Sequence, residues 1–347
     1  MDIRILLLLL LFGYDIYGAL CDFELHRVLG HKGHFKRLNK TKKGKNMSFA
    51  NIFEAAKKGT VEDVKYFIEK KGINVNEKDD DAGWTPLHHA AKENTNVEVL
   101  KYLVSKGADV NTKSNSGRTP LHAAAQGNTN VEVLRFLVSN GSKINVKNND
   151  GNTPLQDAAT WNSNVEVLKY LVSKGADVNT GNNCDLTPLH DAASTNTNVE
   201  IHKYLVSNGA NLNARDNYGE TPLHRAAQYN TNVEILKYLV SQGSDINVGD
   251  NNGMTPLHKA VKTENVDSVK FLVGAKADVN ARSNIGYTPL HGTMDNKNIE
   301  IAKILVSAGA DVNAKDGDGF APIFYATAAK NTTIFGFLVS VGADPNV

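Results

Sequence analysis

The apolar and polar positions of this chain recur with a period of 33 or 34 residues. Each period contains a Thr-Pro-Leu tripeptide, which begins at Thr85, Thr119, Thr153, Thr187, Thr221, Thr255 and Thr288, with a degraded copy at Ala321. A fixed period in this range indicates a stacked array, because each unit is a supersecondary motif that cannot bury its apolar face alone. The chain is therefore predicted to fold by stacking copies of one motif.

The unit at residues 216–249 shows how the pattern predicts a helix pair. It opens with Asp-Asn-Tyr-Gly, in which Asn and Gly tolerate the positive φ of a tight hairpin. Thr221 is placed to cap a first helix, and Pro222 occupies its first turn, where a missing N–H costs nothing. Asn-Thr-Asn ends that helix, and a second apolar stripe follows at Val233, Leu236, Leu239 and Val240. Gly243 is at the position that ends the second helix.

The motif Gly-x-Thr-Pro-Leu-His-x-Ala-Ala, followed by a second helix and Gly-Ala-Asp-Val-Asn, resembles the ankyrin repeat. The resemblance covers residues 48–347 in about nine units, and the first unit, with a polar outer face, is predicted to be an N-terminal cap. It implies an all-α repeat solenoid of stacked helix pairs with projecting β-hairpin fingers. Most ankyrin units have Gly-His between the helices. Here Asn-Thr-Asn adds one residue, which we expect to lengthen the turn without changing the stack.

The first 21 residues have the features of a secretory signal peptide, with a charged start, an apolar stretch at 5–12 and small residues at Gly18 and Ala19. The apolar stretch is too short for a membrane span, which needs about 20 residues. Residues 22–47 are rich in lysine and arginine and predict a basic flexible tail. The sequence thus predicts a secreted or endomembrane-lumen protein with no integral membrane span after signal removal. The alternative is a cytoplasmic protein whose apolar start is a buried element.

Composition and motifs argue against several classes of function. The chain has 38 lysines and arginines against 37 aspartates and glutamates, whereas a general nucleic-acid binder needs a basic face to release counterions. Two cysteines are too few for a zinc cluster or a disulfide framework. No P-loop, Gly-x-Ser-x-Gly, His-Glu-x-x-His or dinucleotide-binding motif occurs. Because the repeats also leave no room for a catalytic domain, we predict a non-enzymatic protein without cofactor, metal or nucleic-acid partner.

One histidine follows Thr-Pro-Leu in most units, at His88, His122, His190, His224, His258 and His291. Units stack at roughly 10 Å, so neighbouring histidines are too far apart to share a metal at about 2 Å. The family resemblance implies instead that each histidine ties its turn together by hydrogen bonds. Gln156 replaces the histidine in one unit, as suits a structural polar residue.

Three positions in each unit vary in size and charge while the scaffold positions stay nearly identical. The family resemblance implies that partner proteins contact the first helices and finger tips, which line the concave face. Aromatic and arginine side chains on such a face most often dominate the binding energy. The candidate groove residues are Trp84, His89, Arg118, Asp157, Trp161, Asp191, Tyr218, Arg225, Tyr229, Lys259 and Tyr287. Two aspartates followed by two cations in this order predict an acidic middle of the groove beside a basic region.

Two local departures from the repeat carry predictions of their own. Lys276 stands where a glycine should end the second helix, which predicts a left-handed residue strained by roughly 1 kcal/mol. The last unit, from Asp316, has an apolar second helix without the polar face of a terminal cap. We expect that end to dock onto another surface or to continue into further repeats.

The sequence therefore predicts a protein that binds another protein, of unknown identity, through the concave face of the array. Two alternatives come from other classes. One is a cytosolic ankyrin adaptor. The other is the repeat portion of a latrotoxin-like pore-forming toxin, but that family has a large helical region before its repeats, whereas only about 47 residues precede them here.

Overall fold

The structure is a computed structural model, and it describes residues 49–294, 296 and 299–345. The predicted signal peptide at 1–21 and the basic tail at 22–47 lie outside the described residues. Within the described part, seventeen α-helices follow one another and no β-strand is present. The predicted all-α repeat solenoid is confirmed.

The helices alternate between the first and the second helix of each unit, except in the unit at residues 283–315, where a 3-10 turn replaces the first helix. In chain order they are α1 (Ile52–Lys58), α2 (Val61–Lys65), α3 (Pro86–Glu93), α4 (Val97–Ser105), α5 (Pro120–Gly127), α6 (Val131–Ser139), α7 (Pro154–Trp161), α8 (Val165–Ser173), α9 (Pro188–Thr195), α10 (Val199–Ser207), α11 (Pro222–Tyr229), α12 (Val233–Ser241), α13 (Pro256–Lys262), α14 (Val266–Gly274), α15 (Glu300–Ser307), α16 (Pro322–Ala328) and α17 (Thr332–Ser340). A π-helical segment, Tyr66–Lys70, continues α2, and a 3-10 turn, His291–Thr293, precedes α15.

Apolar side chains from both helices of each unit meet in one continuous core along the array. Leu121 from a first helix and Leu134 and Leu137 from a second helix are completely buried. Alanines on the first helices are buried as well, and their small size lets neighbouring first helices approach closely. Neighbouring second helices contact each other less than neighbouring first helices do. We call the surface formed by the first helices and the fingers the inner face.

The fingers between units are tight turns, so the predicted β-hairpins are not confirmed. A typical finger is closed by two main-chain bonds, from the Ser114 N–H to the Arg118 carbonyl oxygen (2.9 Å) and from the Gly117 N–H to the Ser114 carbonyl oxygen (3.0 Å). A single main-chain bond, from the Asn115 N–H to the Ala82 oxygen (2.9 Å), joins it to the preceding finger. These bonds close a turn and are too few for the alternating ladder of an antiparallel strand pair.

The repeated histidines are structural, and their predicted hydrogen-bonding role is confirmed. In the first full unit the Thr85 N–H donates to His88 Nδ1 (3.2 Å), and His88 Nε2 lies 3.0 Å from the Arg118 carbonyl oxygen of the next unit. Gln156 makes the same two contacts, because the Thr153 N–H donates to its Oε1 (3.0 Å) and its Nε2 donates to the Leu186 oxygen (2.7 Å). Each of these side chains thus caps its own helix and clamps the next unit.

A second ladder, which the sequence analysis did not find, is built from the first asparagine of each Asn-x-Asn linker. Asn162 is buried, and its Nδ2 donates to the carbonyl oxygens of Ala125 (2.9 Å) and Asn128 (3.0 Å) in the preceding unit. Its Oδ1 accepts from the N–H of Asn164 (2.9 Å). The same bonds recur at Asn94, Asn128, Asn196 and Asn230. This first asparagine therefore ties neighbouring units together.

We expect Asn162→Ala to lower the free energy of unfolding by about 2–3 kcal/mol, because two buried carbonyl groups lose their donor. The matched control is Asn145→Ala, which removes two exposed bonds, one to the Gly175 oxygen (2.9 Å) and a long one from the Asp177 N–H (3.4 Å), and should cost under about 1 kcal/mol. Urea denaturation followed by circular dichroism measures both variants. Equal midpoints for the two variants would contradict the role of the ladder.

The unit at residues 283–315 departs from the predicted full repeat. Its first helix is reduced to the 3-10 turn at His291–Thr293, although the Thr288 N–H still donates to His291 Nδ1 (3.1 Å). Gly292 stands where other units have a helix-forming or charged residue, and glycine is a poor helix former. The cap and the clamp are thus kept although the helix is shortened.

The predicted left-handed conformation of Lys276 is confirmed, since its φ is 69°. We expect Lys276→Gly to raise the free energy of unfolding by about 0.5–1 kcal/mol, because glycine adopts this conformation without steric cost. The reverse change in the preceding unit, Gly243→Ala, should destabilise the array, since Gly243 has a φ of 99°. Thermal denaturation compares the two variants, and a lower midpoint for Lys276→Gly would refute this account.

Candidate functional site

The variable residues predicted to form the groove all lie on fingers or first helices of the inner face. None of the eleven is fully exposed: Asp157 and Arg225 are buried, and the other nine are half-buried. Their backbone positions follow from the histidine and asparagine ladders, which hold each finger and first helix against the next unit. The inner face is therefore a packed surface. Which of its charges are available depends on the residues of this chain that each charged side chain contacts.

The two cations of the predicted basic region are neutralised within the chain. Arg225 Nη2 lies 2.7 Å from Asp216 Oδ2, and its Nε lies 2.8 Å from Glu220 Oε2. Lys259 Nζ lies 2.8 Å from Asp250 Oδ2 and also contacts Glu220 Oε1. We call these five residues the paired cluster. Because it holds three carboxylates and two cations, the predicted basic region is not an open basic patch, and that interpretation is corrected.

The electrostatics of the paired cluster follow from this geometry. Burial disfavours the charged form of Glu220, but the charges of Arg225 and Lys259 outweigh it and lower the pKa of Glu220 to about 2. For Lys259 the same carboxylates outweigh burial and raise its pKa. Glu220 and Lys259 therefore stay charged at neutral pH, whereas burial raises the pKa of Asp216. The contact of Glu220 with Lys259 holds neighbouring units together.

The two aspartates in the middle of the groove have few countercharges. Arg118 Nη2 lies 3.2 Å from Asp157 Oδ1, whereas Asp157 Oδ2 is buried without a hydrogen-bond partner. Asp191 Oδ2 accepts only a long bond from Gln156 Nε2 (3.4 Å). No lysine, arginine or histidine nitrogen lies within 4.0 Å of the Asp191 carboxylate among the described residues.

Aromatic residues flank these charges at both ends of the inner face. Near the start of the array, Lys92 Nζ lies 5.3 Å above the centre of the Trp84 ring, and His89 pairs with Asp79 at 2.8 Å. Farther along, the Tyr229 ring lies 6.0 Å from the Arg225 guanidinium. Trp161 ends α7 and is half-buried, as is Tyr218 on its finger. These rings offer partly accessible apolar surface of the kind that binding sites use.

The far end of the inner face has an aromatic group that the candidate residues included only in part. Tyr287 packs edge to face against Tyr325 at 5.5 Å between ring centres, and its hydroxyl donates to the His291 carbonyl oxygen (3.0 Å). Phe320 stacks on Phe324 at 3.9 Å and remains 36% exposed. Phe320 and Tyr325 occupy the same variable positions as the other candidates. The repeat pattern could therefore have predicted both as groove residues.

The carboxylates of the paired cluster, Asp216, Glu220 and Asp250, were not among the groove residues predicted from the sequence. Asp216 and Asp250 begin their fingers and looked like turn formers, which they are, because each accepts main-chain bonds within its finger. Glu220 lies 39 residues before Lys259, a little more than one period, and such a spacing could have indicated the contact.

Comparison with protein families gave one match. A family model described as ankyrin repeats, three copies, matches residues 30–114, 112–182, 180–250, 224–316 and 277–347. The comparison with curated proteins gave no match. Among the described residues, no helix is long and apolar enough to cross a membrane. That part of the chain likewise has no group of three or more His, Cys, Asp or Glu side chains placed to hold a metal ion.

Proposed function

This chain belongs to the ankyrin-repeat family, and on that premise we propose that it is a non-enzymatic scaffold that binds a partner protein through the inner face. Ankyrin repeats are in general protein-interaction modules. The observation that carries the proposal is the contrast within one chain between nearly identical scaffold positions and inner-face positions that change size and charge. A surface whose only task was to stack units would have no need for that variation.

The stretch of the inner face from Arg118 to Tyr229 fits this role best. It combines half-buried aromatic side chains at Trp161 and Tyr229 with carboxylates at Asp157 and Asp191 that have few countercharges. Half-buried aromatic groups lose little conformational entropy on binding, because the chain already holds them in place. The paired cluster begins within this stretch, and its ion pairs join the units at its far end.

The proposal is tested by capture of partners with the full chain as bait. We expect a variant with Trp161→Ala, Tyr229→Ala and Asp191→Asn to lose the partners that the unchanged chain captures. The matched control alters the second helices instead, with Glu166→Gln, Glu200→Gln and Tyr204→Ala, and should retain them. Circular dichroism must show that both variants are folded. Partners that bind both variants equally would rule out binding through the inner face.

We also propose that the protein acts outside the cytosol, in the secretory pathway or beyond the cell. Support comes from the apolar start of the chain, with small residues at Gly18 and Ala19 ahead of the basic tail. N-terminal sequencing of the mature protein should find cleavage after Gly18 or Cys21. An intact Met1 in the mature protein would favour the cytoplasmic alternative.

A further inference from the structure

On the inner face, the carboxylates of Asp157 and Asp191 have fewer cation contacts than those of the paired cluster. Arg225 and Lys259 follow the repeated histidine in their units, and each contacts two carboxylates. Asp157 and Asp191 occupy the same position in two earlier units. Among the described residues, one cation lies within salt-bridge distance of this pair, since Arg118 Nη2 is 3.2 Å from Asp157 Oδ1.

Asp157 carries an unsatisfied acceptor at this place. Its side chain is 2% exposed, and its Oδ2 has no hydrogen-bond partner, although a buried carboxylate oxygen normally accepts at least one bond. An orphaned buried acceptor costs free energy and is therefore uncommon unless something completes it. Asp157 itself is held by α7, whose first turn is capped through Thr153 and Gln156.

Asp191 is the accessible member of the pair. It lies in the first turn of α9 and is half-buried, with Gln156 of α7 on one side and the Arg225 charge of α11 on the other. Burial raises the pKa of Asp191 to about 7, the charge of Arg225 opposes this, and the charge of Asp157 adds to it. A carboxylate in this position gains from an additional cation, because that cation favours the ionised form.

We propose that Asp157 and Asp191 together recognise one lysine or arginine side chain of the partner protein. The proposal rests on the proposed function and adds the chemistry of the partner. In the paired cluster, Arg225 and Lys259 each contact two carboxylates. A basic side chain of the partner would contact Asp157 and Asp191 in the same way. Trp161 lies four residues after Asp157 on α7, and so on the same side of that helix, where its ring offers apolar surface to the aliphatic stem. A side-chain cation fits better than a metal ion, since only two carboxylates meet here.

The experiment uses the full chain labelled with ¹⁵N at tryptophan. The sequence has two tryptophans, so the spectrum shows one indole signal beside the proposed site and one from Trp84 as an internal reference. Three capped tripeptides are titrated to millimolar concentration, with central lysine, arginine or norleucine. We expect lysine and arginine peptides to shift the Trp161 signal and norleucine to leave it unchanged. Added salt should weaken the shift, because it screens the charges.

The variant Asp157→Asn with Asp191→Asn should weaken lysine-peptide binding at least about tenfold, because a charge-assisted contact is lost. Its control, Asp278→Asn with Asp311→Asn, removes two charges from fingers in which Asn211 already occupies the equivalent position, and should bind as the unchanged chain does. If Asp157→Asn prevents folding, Asp191→Asn alone serves, with a smaller loss expected.

Three results would overturn the cation site: norleucine peptide shifting Trp161 as strongly as lysine peptide, an unaltered response in the aspartate variants, or a shift confined to Trp84. Each of these leaves the capture experiment unaffected, so a partner that still depends on the inner face would keep the proposed function without this site. A lysine response together with capture that ignores the inner face would instead support the site and reject the proposed function.

Discussion

Lowering the pH from about 6.5 to 4 is expected to destabilise the array strongly, because its clamping histidines are buried in the neutral form. Burial lowers the pKa of His88, His190 and His258 to about 4 from an ordinary value of 6.5. Between these values the unfolded chain binds more protons than the folded chain, so stability falls as the pH falls. Each of the three histidines should cost about 3 kcal/mol by pH 4.

Other titrating groups modify this result without reversing it. Burial also lowers the pKa of His122, His202, His224 and His291, which adds to the loss. Asp191 acts in the opposite sense, because its raised pKa of about 7 lets the folded chain take up a proton before the unfolded chain does. That gain is at most about 4 kcal/mol, less than the three histidines lose together.

The natural Gln156 provides the variant that separates protonation from hydrogen bonding. Glutamine there keeps both the cap and the clamp and carries no charge at any pH. We expect a chain with glutamine at 88, 190 and 258 to remain as stable as the original at pH 7 and to unfold at a lower pH. A chain with alanine at the same positions should be less stable than the original at pH 7 and at acid pH. If the glutamine substitutions leave the midpoint pH of acid unfolding unchanged, protonation of these histidines does not cause the acid unfolding.

The second large effect is expected at the centre of the paired cluster. Arg225→Met leaves the buried carboxylates of Asp216 and Glu220 without the guanidinium that contacts both of them. Removing one partner of a buried ion pair typically costs about 3–5 kcal/mol, because the remaining charge stays buried. We expect a corresponding fall in the urea midpoint, and earlier proteolysis near α11 than elsewhere, since neighbouring units of a repeat array open semi-independently.

An exposed pair with the same residue types is the control for this prediction. Arg135 contacts Glu132 at 3.1 Å from three residues away on a second helix, and Arg135→Met should cost under about 1 kcal/mol. Adding Asp216→Asn to Arg225→Met should recover part of the lost stability, because Asp216 pairs only with Arg225, whereas Glu220 keeps its contact with Lys259. If Arg225→Met is no more costly than Arg135→Met, the cluster does not support the array as described.

Much of the scaffold could be predicted because its determinants lie within one period. The Thr-Pro start of each first helix, the histidine three residues later and the left-handed Lys276 all depend on residues close in sequence. The asparagine ladder escaped prediction, although its residues are as regular as the histidines. Asn162 looked like a linker residue, and its donors reach carbonyl groups 34 and 37 residues earlier.

For the groove residues, too, the sequence and the tertiary structure each determined a different part. Sequence alone identified which positions vary, because repetition of the scaffold exposes the variation, and it determined the solenoid and its register. Only the tertiary structure decided which charges a partner can use. Arg225 and Lys259 looked available in the sequence but pair with carboxylates of their own and neighbouring units, whereas Asp191 gains no such cation. The physical reason is that a charge interacts most strongly with groups within a few ångströms of it. Stacking of the units brings together side chains that are about one period apart in the sequence.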